Sequence, residues 1–111
     1  MSGIIRKAIT ISTTSGTSPW IGLDYRGKQT AKAIGLDTNG GAGTFTVVVA
    51  VDSPNDVSDP LAYNHSILTN VTATTVSSLE YPTPAVKLSW GTASSLPYTV
   101  YLSVVEAGST D

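Results

Sequence analysis

The chain has 111 residues, no cysteine, one histidine and a formal net charge of −2. Only 13% of its residues are charged, against about a quarter in an ordinary soluble domain, whereas Thr and Ser together outnumber the charged residues by 30 to 14. This length suits one domain with one core, no stretch approaches the roughly 20 apolar residues that span a bilayer, and the lack of cysteine excludes a thiol nucleophile, a disulfide framework and a thiolate metal site.

In chain order, Met1-Ser-Gly-Ile-Ile-Arg-Lys7 places its basic pair after the apolar pair and has no apolar h-region, so no secretory signal is expected. Ile9 and Ile11 alternate with Ala8, Thr10 and Ser12, which predicts a first strand over about Ile4 to Thr13, with residues 1–7 read as an N-terminal arm. A Gly/Ser/Pro turn at Ser15 to Pro19 precedes Trp20-Ile-Gly-Leu-Asp-Tyr25, the start of a second strand. Gln29 to Leu36 forms a third; its Ala-Lys-Ala-Ile has the composition of a short helical turn, but brevity and bounding glycines favour a strand. Asp37-Thr-Asn-Gly-Gly-Ala-Gly43 is the clearest turn, and an Asn-Gly pair between apolar runs predicts a hairpin.

The run Thr44 to Asp52 is the strongest strand. Phe45, Val47, Val49 and Val51 share its core face, and Thr44, Thr46, Val48, Ala50 and Asp52 share the other. Asp52 to Pro60 reads as a loop of Asp, Asn, Ser and Pro. A polar strand is expected over about Ile67 to Val76, and Tyr81-Pro-Thr-Pro84 breaks the chain after it. Ala85 to Trp90 puts Val86, Leu88 and Trp90 on one face. After a turn at Gly91 to Pro97, Tyr98, Val100, Leu102 and Val104 do the same in the last strand, and residues 107–111 read as a short polar tail. Six to eight short strands with Gly, Pro and Asn turns predict an all-β fold over residues 1–111. The expected architecture is a single antiparallel β-sandwich, immunoglobulin-like or jelly-roll-like.

Residue chemistry for catalysis is thin. His65 has no cysteine to activate and sits in no nucleophile elbow, so it reads as a loop or surface histidine. Glu80 and Glu106 are the only glutamates, and nothing in the pattern brings them together as a carboxylate pair. Asp52, Asn55, Asp56 and Asp59 could ligate a hard cation, but their spacing fits no calcium loop and is that of a plain turn. No cofactor or metal is expected. Asn64-His-Ser and Asn70-Val-Thr match the glycosylation pattern by the frequency of Ser and Thr. The one basic cluster, Arg26, Lys28 and Lys32, is flanked by Asp24 and Asp37, which reads as a solvated face and not a phosphate-binding one. Neither nucleic acid nor a membrane surface is an expected partner.

Association with protein is better supported. Trp20, Tyr25, Tyr63, Tyr81 and Tyr101 fall at turns, near prolines or on an outward strand face. Rings so placed either cap the sandwich ends or form interfaces and sugar platforms. Together with Ile4, Ile5, Arg6 and Lys7 of the N-terminal arm they form the candidate partner interface, and Val48 and Val105 on second strand faces favour association further.

Three segments carry a family resemblance. They are Thr17-Ser-Pro-Trp-Ile-Gly-Leu-Asp-Tyr25, the strand Thr44 to Pro54, and Pro84 to Ser89 followed by a last strand ending Val104-Val-Glu-Ala-Gly108. Their order resembles small β-sandwich virion proteins of tailed bacteriophages, which act as head decoration or cement proteins or sit in tails. The resemblance implies a non-enzymatic virion protein, assembled in the host cytoplasm, that binds and stabilises the capsid lattice. Its partner would be the major capsid protein or another virion protein, with self-association into a homo-oligomer open as well. The alternative it leaves is a tail- or fibre-associated module that binds a receptor or carbohydrate.

Overall fold

Alternation of buried and less buried residues carries through into strands over Phe45 to Val49, Val86 to Leu88 and Val100 to Val104. A computed structural model describes residues 3–23, 31–52, 54, 56–79 and 83–107. Among these it has nine strands: β1 (Gly3–Ile11), β2 (Gly16–Thr17), β3 (Ile21–Gly22), β4 (Ala31–Asp37), β5 (Ala42–Ala50), β6 (Ala62–Asn64), β7 (Thr75–Leu79), β8 (Ala85–Ser94) and β9 (Tyr98–Ala107). The fold is the expected all-β sandwich of two antiparallel sheets. The count exceeds eight because β2 and β3 are two pieces of one edge, both paired with β8. Between them Pro19 cannot donate to the ladder, and Ser18 substitutes: its N–H donates to the Leu88 carbonyl at 2.8 Å, and its hydroxyl accepts from Leu88 N–H at 2.9 Å.

One sheet runs β1-β9-β4-β7 and the other β2/β3-β8-β5-β6. The long apolar strands β8 and β9 lie inside the two sheets, one in each, and their inward faces meet. Ile9, Ile11, Ile34, Leu36, Val100, Leu102 and Val104 come from the first sheet, and Phe45, Val47, Val49, Val86 and Leu88 from the second. Trp90 and Tyr98, expected in the core, are half-buried and pack against its end. Val51 is exposed and Ala50 buried, the reverse of expectation, because β5 ends at Ala50.

The turn expected as a hairpin crosses between sheets instead, and so does the link after β8. Asp37 to Gly43 has the local geometry the sequence predicts, with positive φ at Asn39 and Gly40 and a Gly41 N–H bond to the Thr38 carbonyl. Yet β4 and β5 belong to opposite sheets, so it is an arch and not a hairpin. Turn chemistry fixes local φ and ψ; which ladder each flanking strand joins is decided by distant partners. The β8–β9 link also changes sheet, and β8 extends to Ser94, so the turn expected at Gly91 shrinks to residues around the cis Leu96–Pro97 peptide. The pair β5 and β6 forms the consecutive hairpin among the described strands, closed by the acidic loop.

The strand expected over Ile67 to Val76 begins only at Thr75. Asn70 has positive φ, the Leu68 carbonyl accepts from Val47 N–H, and Val71 exchanges both backbone bonds with Phe45 while the chain crosses toward the other sheet. Nor do Gly3 to Lys7 form an arm: they pair in register with Glu106 to Leu102 as the outer half of β1. Of the expected tail, Ala107 ends β9, and residues 108–111 lie outside the described residues, as do 24–30 with the basic cluster's Arg26 and Lys28.

At the arch the Tyr98 ring lies on Gly41, and its hydroxyl donates to the Ala42 carbonyl at 2.5 Å. Burial pushes this hydroxyl's pKa above its usual value. A Cβ at Gly41 would stand 2.2 Å from Tyr98 Cε1. Gly41→Ala is therefore expected to destabilise by about 1–3 kcal/mol, read from the urea midpoint. The loss should shrink in a Tyr98→Ala background, because the two positions share one contact.

Candidate partner-binding surface

Strand β1 sorts its two basic side chains by the alternation of the pleat. Arg6 points to the outer face of its sheet, where Ser103 is its ladder partner and Tyr101 the diagonal neighbour on β9. Its guanidinium lies 4.3 Å from the Tyr101 ring centroid, Nη1 donates to Ser103 Oγ at 3.1 Å, and Nη2 is 3.7 Å from Asp37 Oδ2. The ion pair is half exposed, so it adds at most about 1 kcal/mol. Its effect is positional: it fixes a cation over a ring and leaves the face near neutral. Asp37 in turn accepts from Asn39 N–H and the Thr74 hydroxyl, anchoring the arch.

Lys7 points to the side of the sandwich, into a groove lined also by Ala8, Ser18, Pro19 and Trp20. Trp20, half-buried at the break between β2 and β3, forms the wall between this groove and a second one. In the second, Lys87 Nζ stands 4.5 Å from the Trp20 ring centroid, and Asp52, Ser58, Asp59 and Leu61 close the far side. Val48 sits beside Lys87 on the same sheet, between it and Asn64. The exposed Val105 lies on the Arg6–Tyr101 sheet.

Of the nine expected interface residues, the structure therefore brings together Arg6 with Tyr101 and Lys7 with Trp20. Ile5 is half-buried against the core, and Ile4 of β1 pairs with Val105 of β9. Tyr63 is separate, exposed on β6 at the opposite side of the sandwich. Tyr25 and Tyr81 lie outside the described residues. The cations that meet Trp20 and Tyr101 were not legible as partners, since Lys87 and Tyr101 are far along the chain from Trp20 and Arg6.

The acidic loop has a structural task that its composition suggests. Asp52 Oδ2 accepts from Leu61 N–H at 3.0 Å and closes the β5–β6 hairpin. Among the described residues no three His, Cys, Asp or Glu side chains gather as a metal site. His65 is in a loop, as expected, but it is buried and not at the surface. Its Nδ1 accepts from Ile67 and Leu68 N–H at 3.1 and 3.2 Å, which leaves Nε2–H to donate to the Ser78 carbonyl at 2.8 Å. The Thr69 hydroxyl donates to the His65 carbonyl, and His65 N–H to the Val47 carbonyl. The ring thus ties the edge of one sheet to the edge of the other.

What fold and surface define is a sandwich whose polar chemistry fastens strands together and whose half-buried rings Trp20 and Tyr101 each sit beside a cation. No family model, curated protein or solved structure matches the chain.

Proposed function

We propose that the chain is a non-enzymatic structural protein of a bacteriophage virion, a head decoration or cement protein that binds the capsid lattice. Its partner is the major capsid protein or a neighbouring virion protein, and its location is the virion, assembled in the host cytoplasm. The observation that carries the reading is the β1 side, where one rigid strand presents Arg6 on Tyr101 and Lys7 beside Trp20. Tyr, Trp and Arg are the residues that dominate protein interfaces. Held on a strand, they lose little conformational entropy on docking. The order of segments from Thr17 to Gly108 that resembles phage virion proteins supports the same role.

Purified protein is expected to sediment with heads that lack it and to raise their disruption temperature. The double variants Arg6→Ala/Tyr101→Ala and Lys7→Ala/Trp20→Ala should each bind about tenfold or more weakly. Heads that neither retain the protein nor gain stability would refute the proposal.

The Trp20 groove favours a second reading, a tail or fibre module for a receptor or carbohydrate, because a ring, two carboxylates and a serine hydroxyl line it together. Lys87 already covers a face of that ring, which counts against sugar stacking there. Binding on a glycan array that Trp20→Ala abolishes would favour this reading over the first.

A further inference from the structure

Asn39 is the one asparagine of the four that a glycine follows. The others precede Asp56, His65 and Val71, whose side chains crowd the next backbone nitrogen. In a loose chain an Asn-Gly pair modifies itself. The glycine nitrogen attacks the asparagine Cγ, the Cγ–Nδ2 bond breaks, and the amide nitrogen leaves as ammonia with the proton that the glycine gives up. Water then opens the five-membered imide at either carbonyl. The product is aspartate or, with Cβ drawn into the main chain, isoaspartate, and the net gain is one mass unit and one negative charge.

Asn39 and Gly40 are both exposed in the arch between β4 and β5, so water reaches the site. The backbone there is held in one shape. Asn39 has φ of 52° and Gly40 of 75°, and Gly41 N–H donates to the Thr38 carbonyl at 2.7 Å, which together make a type I′ turn. With Asn39 left-handed, the Gly40 nitrogen lies almost opposite Cβ across the Asn39 Cα–C bond. Ring closure needs nitrogen and Cβ on the same side of that bond. Further bonds hold the turn. Asn39 Nδ2 donates to the Thr99 carbonyl at 3.4 Å, and Asn39 N–H to Asp37 Oδ1 at 2.9 Å. The Thr74 hydroxyl accepts from Thr38 N–H at 3.2 Å and donates to Asp37 Oδ1 at 3.3 Å.

We propose that Asn39 is a self-modification site that the arch keeps latent, and that opening of the arch releases deamidation there. Rotation about the Asn39 Cα–C bond would break the Thr38–Gly41 bond, so attack waits for local opening and its rate carries the open fraction. The change does not reverse. Isoaspartate lengthens the backbone by one methylene, and a turn specified by two central residues no longer fits the same gap. Aspartate keeps the backbone length and tolerates left-handed φ. A chain whose arch has stayed open thus carries a permanent mark of it. The inference is independent of the capsid-binding role.

Peptide mapping by mass spectrometry after incubation in mildly alkaline buffer tests this. In chain unfolded by guanidinium chloride, Asn39 is expected to gain its mass unit before the other three asparagines. In the folded chain it should do so at least about tenfold more slowly. Hydrogen exchange of the Gly41 amide gives a second readout on the unaltered protein: its protection factor should match the slowing at Asn39 to within about threefold. Asp37→Ala removes two bonds that hold the turn and should speed the folded reaction about threefold or more. Purified isoaspartyl chains should unfold at lower urea than Asn39→Asp, which carries the same charge on an intact backbone. Equal rates in folded and unfolded chain, or first modification of the unfolded chain at another asparagine, would overturn the proposal. So would slowing unrelated to Gly41 protection, an unchanged rate in folded Asp37→Ala, or isoaspartyl chains as stable as Asn39→Asp.

Discussion

Replacing Phe45 with alanine is expected to lower the unfolding free energy by about 3–5 kcal/mol, the range for emptying a large aromatic site in a packed core. Phe45 has no exposed surface, pairs with Trp90 of β8 on one side and bridges to Val71 on the other. Its ring projects from the sheet into the buried core cluster. The backbone on both flanks is held by ladder bonds, so the site cannot collapse inward to refill the void. A domain of this size has only about 5–15 kcal/mol in total, so the variant should sit close to its unfolding threshold. Urea denaturation checks this: the midpoint should fall with little change in slope. An exposed control, Val76→Ala, is expected to stay within about 0.5 kcal/mol of the parent.

His65→Ala is the second large effect, expected at about 2–4 kcal/mol, because it strands polar groups without removing much apolar packing. The Ser78 carbonyl loses its donor, and the Ile67 and Leu68 amides lose a shared acceptor, all in a part-buried site. His65→Asn should recover part of the loss. A side-chain oxygen on the shorter residue can accept the two amides two and three residues ahead, as in an Asx turn, but it cannot span to Ser78. The expected stability order is His, Asn, Ala. A variant in which alanine proved neutral would show that water replaces all three bonds.

Legibility in the sequence divides by range. The core faces of β5, β8 and β9 were readable from Phe45, Val47 and Val49, from Val86 and Leu88, and from Val100, Leu102 and Val104, because period-two burial is written in adjacent residues. The turn at Asn39-Gly40 was readable for the same local reason, but its identity as an arch was not, since that depends on β9 and β8 claiming β4 and β5. His65 gave no sign of burial; its partners are a carbonyl 13 residues away and two amides that converge only when the chain leaves β6. The candidate surface followed the same rule. Arg6, Lys7, Trp20 and Tyr101 were identifiable as residue types, and their pairing was not, because ladder register sets it across most of the chain.

The inner positions of β8 and β9 have a consequence for how the chain comes to be folded. As a ribosome delivers it from the N-terminus, β1, β2 and β3 emerge with no ladder partner, since theirs are β9 and β8. Until residues 85–107 arrive, the pairings at hand are β4 with β7 and the β5–β6 hairpin, and neither closes a core. Most of the strands must therefore wait, and the closing contacts span long loops, a topology that folds slowly. During that interval residues 61–79, which include no Asp, Glu, Lys or Arg, are present and unguarded. Synthesis of many such chains at once would expose them to one another, so this stretch is where nascent chains are most prone to mispair.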